Sequence, residues 1–459
     1  MILIITASII GVVLLFASFL LKQTSSLLHL VTVLFAALFG VAIWESLQAS
    51  AILTQSFYLD AIRVDRFTNQ FNVLVTGCLF LYILLMKKHI AAVGKYKAEY
   101  FALIAFIMVG IFMLSSFNSL LVMFLGIEIV SIPQYILAGS DKENLKSTEA
   151  SLKYFLMGAF STGFLLMGIT LLYGATGNFM VSEFNFLQAT TVNPLALGGV
   201  LLLIIAFGFK VSAAPMHLWT PDVYDGTPTP FTAFMATLVK VAAFVGFMRL
   251  FQTSFTAISS SWSLVLSVVI ALTLLIGNIT AVFQQSVKRM LAYSSIAQAG
   301  FMLFAIISLN AIGRQGMLVY TIAYSVASIS FFAILIKMKD YTYDGFNGLA
   351  KKHPYIAALA TIYMLSLAGI PLTGGFMAKY YMLKAVLFQG SYMWLAIFAL
   401  LMAAVSVYYY FKVIIAMYFK EGEAATVEPF SKEEQVYLTI GALSLLVVGI
   451  FPSLFTGSI

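Results

Sequence analysis

Five charged side chains sit inside runs otherwise too apolar for water: Glu128 in FLGIEIVSIPQY, Lys153 in SLKYFLMG, Lys210 in LLLIIAFGFK, Lys240 in FTAFMATLVK and Lys379 in GGFMAKYY. A charge at the middle of a bilayer costs about 2.5 to 3.5 kcal/mol, so an ionisable group kept there implies a use. One acid cannot neutralise four bases. A buried lysine without a counter-charge gives up its proton readily and a nearby acid strengthens its hold, which suits such a set to passing protons. Lys384 and Lys412 lie close enough to helix ends to reach the interface. His217, in PMHLW, titrates near neutrality and is a sixth candidate, although a lone histidine is more often a hydrogen-bonded structural residue. Asp222 and Asp225, in TPDVYDGTPTP, read as turn residues that bond local backbone. Lys288 and Arg289 read as an anchor at a helix end, followed by a polar stripe of Tyr293, Ser294, Ser295 and Gln298 able to hold water.

The elements that carry these residues follow from composition. The 459-residue chain is 62% hydrophobic and 9% charged, with a mean hydropathy of +1.01, which predicts an all-α polytopic membrane protein. Apolar runs of about twenty residues, the length that crosses the hydrocarbon layer, lie near 2–22, 28–48, 67–86, 99–115, 118–138, 150–175, 195–213, 231–251, 262–285, 289–309, 315–336, 355–378, 391–419 and 434–455. That is about 14 transmembrane helices. The first apolar run lacks a basic flank and a cleavage site and reads as a retained span. SFYLDAIRVDRF, between the second and third spans, reads as a short hairpin or an interfacial segment. One cysteine (Cys78) and four scattered histidines exclude a disulfide and give no support to a metal centre. No phosphate-binding loop, dinucleotide fingerprint or nucleophile elbow is present, so the chain cannot itself use ATP or a nicotinamide.

Two of these helices should be broken. Pro215, Pro221, Pro228 and Pro230 interrupt the region 201–240, and Pro371 interrupts LSLAGIPLTGGFMAKYYMLK. Irregular backbone at membrane depth survives only beside protein or water, so each break should line a polar cavity. Breaks in the seventh and twelfth helices, five spans apart, point to two inverted five-helix repeats, helices 4–8 and 9–13, whose breaks open toward opposite surfaces. The single membrane domain then divides into 1–98, a first repeat at 99–251, a second at 262–419 and a last helix in 420–459. With both termini outside, one set of loops holds Lys22, Lys87, Lys88, Lys95, Lys97, Lys142, Lys146, Lys288, Arg289, Lys337, Lys339, Lys351, Lys352, Lys420 and Lys432. The other holds Arg63, Arg66, Arg249 and Arg314. The lysine-rich side should be cytoplasmic, which also accounts for the net charge of +7 without nucleic acid.

MHLWTPDVYDGTPTPFTAFMATLVKVAAF, SLKYFLMGAFSTGFLLMGITLLYGATGN, VKRMLAYSSIAQAGFML and LSLAGIPLTGGFMAKYY resemble the subunit N family of bacterial respiratory complex I, the proton-pumping NADH:quinone oxidoreductase. The resemblance covers nearly the whole chain. It implies Glu128 and Lys153 as a charged pair, Lys210 as the central lysine, Lys240 as the connecting lysine, Lys379 as the terminal residue and His217 on the hydrophilic axis. It further implies a non-redox translocase subunit of the bacterial inner membrane, in which the loop charges above put both termini on the periplasmic side. FMN, iron–sulfur clusters and quinone would belong to partner subunits, with an antiporter-like neighbour and the small subunits next to the quinone site as its contacts. The competing readings are a subunit of a multisubunit sodium/proton antiporter, which should show a sodium site, and a membrane scaffold, for which the embedded charges would be superfluous.

Overall fold

A computed structural model describes residues 1–21, 23–48, 54–184, 193–422, 424–426 and 428–456; Lys22 lies outside the described residues. Helices form over the apolar runs, and several of them follow a side chain that accepts from the first free amides, as Asp65, Ser119, Asn144 and Asn193 do. The first two are α1 (Ile2–Leu20) and α2 (Thr24–Gln48), followed by β1 (Thr54–Phe57) paired antiparallel with β2 (Ile62–Asp65). Of the two readings of that segment, the hairpin is the one observed. Tyr58, Leu59 and Asp60 turn its tip with positive φ, and Arg63 bonds the Asp60 carboxylate, holding it below the usual carboxylate range.

Asp65 caps α3 (Arg66–Ala92), then come α4 (Lys97–Ser116), α5 (Leu120–Ala138), and α6 (Leu145–Thr176), which starts at Asn144. Asn193 and Pro194 start α7 (Pro194–Lys210). The short α8 (Thr220–Gly226) and α9 (Thr229–Phe234) follow, and a π-helical turn over Met235–Val239 joins α9 to α10 (Lys240–Ser254). The remainder comprises α11 (Ser259–Val282), α12 (Val287–Met302), α13 (Phe304–Ile307), α14 (Ala311–Leu335), α15 (Leu349–Lys352), α16 (Pro354–Ala368), α17 (Gly374–Gln389), α18 (Met393–Phe419), α19 (Lys432–Ile450) and α20 (Ser453–Thr456). Among the described residues twelve helices are long and apolar enough to cross a membrane, and α7 and α16 are shorter apolar helices.

Both expected breaks are present. α7 ends at Lys210, Ser212 takes a left-handed conformation (φ 64°), and helix resumes at Thr220. α16 ends at Gly369 (φ 85°), Leu372 is left-handed (φ 73°), and α17 begins at Gly374. The run at 355–378, expected as one interrupted span, is accordingly made of α16 and the start of α17. Gly375 makes the second break possible, because a Cβ there would lie 1.7 Å from the Ser366 carbonyl oxygen.

Burial sorts the helices into layers. The most apolar stretches of Thr229–Ser254, Val287–Ile307 and Ala311–Leu335 are 94 to 100% buried, whereas those of α1, α6, α18 and α19 are 33% buried. The central column is thus α9, α10, α12 and α14, and the outer helices face the bilayer or neighbours. Arg63, Arg249 and Arg314 line one pocket at the start of α5, together with Phe117 and Asn118. Asn144, Lys146 and Lys288 line another just past the end of α5. Nineteen residues of α5 separate the two, about 28 Å of helix. Arg63, Arg249 and Arg314 thus lie toward one end of α5 and Lys146 and Lys288 toward the other.

Candidate functional site

A broken helix frees backbone groups that hydrocarbon cannot satisfy, and their partners locate the site. At the first break the Phe209 carbonyl accepts from Trp219 Nε1 (3.1 Å), and the Ala214 amide donates to Thr273 Oγ1 (2.9 Å). Lys210 donates through Nζ to Ser131 Oγ on α5 (2.7 Å). Ser131 follows Glu128 by one turn of the same helix, and Glu128 Oε1 accepts from Thr162 Oγ1 on α6 (2.9 Å).

Glu128 and Lys153, expected as a pair, are not joined. Lys153 Nζ instead contacts Glu149 Oε1 (2.7 Å) and Asp222 Oδ2 (2.9 Å), while Asp222 Oδ1 accepts from Arg289 Nη2 (3.0 Å). Asp222 is therefore no turn residue. It lies in the first turn of α8, behind Pro221, and ties α6 to α12. A proline followed by an acid is a helix-start pattern, and that signal was available in the sequence. Lys153 also departs from the expectation of an enclosed lysine, its side chain being 42% exposed.

His217 is buried in the break, and its Nδ1 has no hydrogen-bond partner among the described residues. Ser212 Oγ and both amide atoms of the fully buried Gln134, three residues beyond Ser131, also lack partners among the described residues. Buried polar atoms of this kind are ordinarily satisfied by water. The structure shows no hydrogen bond between His217 and any of the four lysines.

The second half of the site centres on α12. Lys240 is 1% exposed and stands immediately after the π-helical turn, a distortion often found at functional positions. Its Nζ donates to both the backbone and side-chain oxygens of Ser295 and lies 5.8 Å from the centroid of the Tyr224 ring. One turn along α12, Gln298 Nε2 donates to Tyr410 Oη (3.1 Å) and to the Leu367 carbonyl (2.9 Å), while its Oε1 accepts from Tyr320. Ser294 also bonds Tyr410. At the second break Lys379, 7% exposed, donates to the Leu367 (3.1 Å) and Ala368 (2.8 Å) carbonyls, the last two of α16. One helix end thus receives an ammonium group from the next, the arrangement that favours positive charge at a C-terminus.

The Leu367 carbonyl is shared by Gln298 and Lys379, and Ser295 is shared by Lys240 and α12. The polar stripe read in the sequence therefore lies between Lys240, bonded at Ser295, and Lys379, which shares a carbonyl with Gln298, and among the described residues no hydrogen bond joins Ser295 to Gln298. Tyr293 is its less buried member, and Tyr320 and Tyr410 complete the network from α14 and α18, where uniformly apolar context gave them no signal. Lys210, Lys240 and Lys379 make no ion pair among the described residues.

Residues 117–406 match the family model described as NADH:quinone oxidoreductase/Mrp antiporter, TM. The chain is 39% identical over 414 residues to the NADH-quinone oxidoreductase subunit N of Trichlorobacter lovleyi, covering 87% of this chain and 84% of that one. Among solved structures it superposes on a chain of respiratory complex I from Thermus thermophilus with bound aureothin, with a TM-score of 0.84 and 30% identity over 99% of this chain and 98% of the other. A chain of the Mrp complex from a Dietzia species gives a TM-score of 0.86 at 18% identity, over 99% and 95% of the two chains, and shares the fold.

Proposed function

The chain belongs to the subunit N family of NADH-quinone oxidoreductases, the antiporter-like membrane subunits of complex I, and we propose that protons move through it along Glu128, Lys153, Lys210, Lys240 and Lys379. The observation that carries this reading is the polar row along one face of α12: Lys240 donates to Ser295, and one turn on Gln298 shares the Leu367 carbonyl with Lys379. A proton arriving at one lysine raises the cost of charge on the next, so transfer along the row relieves like-charge repulsion. Asp222 joins the list, since it sets the charge around Lys153 and Arg289. His217 and Gln134 hold water beside Lys210.

We assign fourteen spans in two inverted halves, 99–251 and 262–419, behind helices in 1–98 and ahead of the helix in 420–459. The two breaks support it: each ends an apolar half-helix, contains a left-handed non-glycine residue and directs a lysine to a polar partner. Lysines on one face and arginines on the other support a cytoplasmic lysine-rich face and periplasmic termini in the bacterial inner membrane. Glu149, Lys153 and Asp222 stand 40% or more exposed beside exposed Leu152, Phe155 and Leu156. Charges at that place on a membrane helix need a protein cover, which supports contact with an antiporter-like neighbour or the small subunits next to the quinone site. NADH oxidation with its FMN and iron–sulfur clusters, and quinone reduction, are assigned to partner subunits. The sodium/proton antiporter reading has the weaker support, because likeness to the Mrp chain extends to the fold alone.

The test is NADH-driven proton uptake by everted membrane vesicles. Glu128→Ala should assemble and lower uptake; normal uptake by an assembled Glu128→Ala complex would sink the assignment. Asp222→Asn should lower stability by about 1 kcal/mol, the range for partly exposed ion pairs, read as the thermal midpoint of the solubilised complex, and should slow uptake as well. An unchanged midpoint and uptake would return Asp222 to a passive role.

A further inference from the structure

Far from the lysine row, a cavity of about 370 Å³ opens where α1 and α2 meet the loop that leads into α4. Lys95, Lys97 and Glu99 supply its charges, with Ser18 and Thr24 beside them. Lys97 Nζ donates to Thr24 Oγ1 (2.9 Å), which leaves two of the three ammonium donors free. Lys95 is exposed and Glu99 half-buried, and no ion pair involves any of the three among the described residues. Two cations and one anion therefore share a cavity without neutralising one another. A ligand group that carries a negative and a positive charge side by side would satisfy all three.

The surroundings indicate what bears that group. α1 is an outer helix, and Phe16, Phe19 and Leu20, at the end that reaches the cavity, are 63, 82 and 78% exposed. Ser18, from the same turn, lines the cavity itself. Lys95 and Lys97 belong to the lysine-rich loops, so the cavity lies at headgroup depth with an apolar helix face running away from it into the bilayer. That is the surface one phospholipid molecule meets, its chains along α1 and its headgroup in the cavity.

We propose that this cavity binds a glycerophospholipid whose headgroup ends in a primary ammonium, as that of phosphatidylethanolamine does, in the leaflet on the lysine-rich side. The phosphate lies against Lys95 and Lys97, and the ammonium donates to Glu99. A glycerol headgroup brings no cation for Glu99, and a trimethylated ammonium has no N–H to give it.

The test uses the purified complex in phosphatidylcholine nanodiscs doped in turn with an ethanolamine, a glycerol or a choline phospholipid that carries a photoreactive group at the head of one acyl chain. After illumination, mass spectrometry of the digested chain reads labelling at residues 16–20, normalised to labelling at the exposed Leu400 and Leu401 of α18. The ethanolamine probe should label residues 16–20 about tenfold more than either other probe, the ratio expected for one charge-assisted hydrogen bond. Replacing both Lys95→Gln and Lys97→Gln should lower that labelling by a similar factor. Glu99→Gln changes one atom and breaks no side-chain hydrogen bond, so the fold survives it; the preference for ethanolamine over glycerol should disappear. Equal labelling by the three probes would make the cavity an unselective part of the lipid boundary and overturn the proposal. A preference for the glycerol probe would make it a site for net negative charge, and an ethanolamine preference that outlives Glu99→Gln would remove the carboxylate from the recognition; either result defeats the assignment.

Discussion

Lys240→Met is expected to leave the complex assembled and to abolish most of its NADH-driven proton uptake, by about tenfold or more. Met fills nearly the same volume and, because Lys240 has no ion partner among the described residues, strands no opposite charge; only its bonds to Ser295 are lost. Folding should therefore survive. What goes is the group that joins the π-helical turn of the first half to Ser295 on α12. Lys240→Arg should fail as well, since it can keep a hydrogen bond to Ser295 while refusing to give up its proton. Proton uptake per assembled complex is the measurement. Full uptake by either variant would remove Lys240 from the path, and with it the connection to Lys379.

The two breaks were legible because proline and buried charge are strong local signals. Pro215 and Pro371 excluded continuous helix, and Lys210 and Lys379 marked where polar atoms would gather. The stripe of Ser294, Ser295 and Gln298 was readable for the same reason, being polar side chains at helical spacing in an apolar run. Pairing was not readable. Lys153 could have met any acid brought near it by tertiary packing, and Glu128 was the intramembrane acid in view. The chain instead brings Asp222 across from α8, because the break lets α8 turn back against α6 and α12. Lys288 was hidden by its place at a helix start, where lysines usually snorkel to the surface. Here the α8–α9 turn closes over it and supplies two carbonyls. Tyr320 and Tyr410 carried no signal at all, since tyrosine is common in membrane helices and only contact with Gln298 distinguishes them.

Arg249→Leu should destabilise the chain by about 1 to 3 kcal/mol, the cost of leaving buried hydrogen-bond acceptors without their donor. Arg249 lies on α10, its side chain 13% exposed, and its guanidinium is the junction of three segments. Nε donates to the Phe117 carbonyl (2.8 Å), Nη1 to Asp65 Oδ2, Thr68 Oγ1 and the Ser115 carbonyl (3.1 Å each), and Nη2 to the Arg63 carbonyl (2.9 Å). Leucine would leave the Asp65 carboxylate and three carbonyls without these donors, at the point where β2, the end of α4 and α10 meet. Lysine should rescue little, because one ammonium cannot reproduce a planar fork reaching acceptors on both sides. The result would appear as a lower thermal midpoint of the solubilised protein and as faster proteolysis near the hairpin at 54–65. A midpoint within about a degree of the unsubstituted chain, less than 1 kcal/mol would produce, would show that the junction is redundant and that the α4–α5 and α3–α4 contacts hold this end of the fold without it.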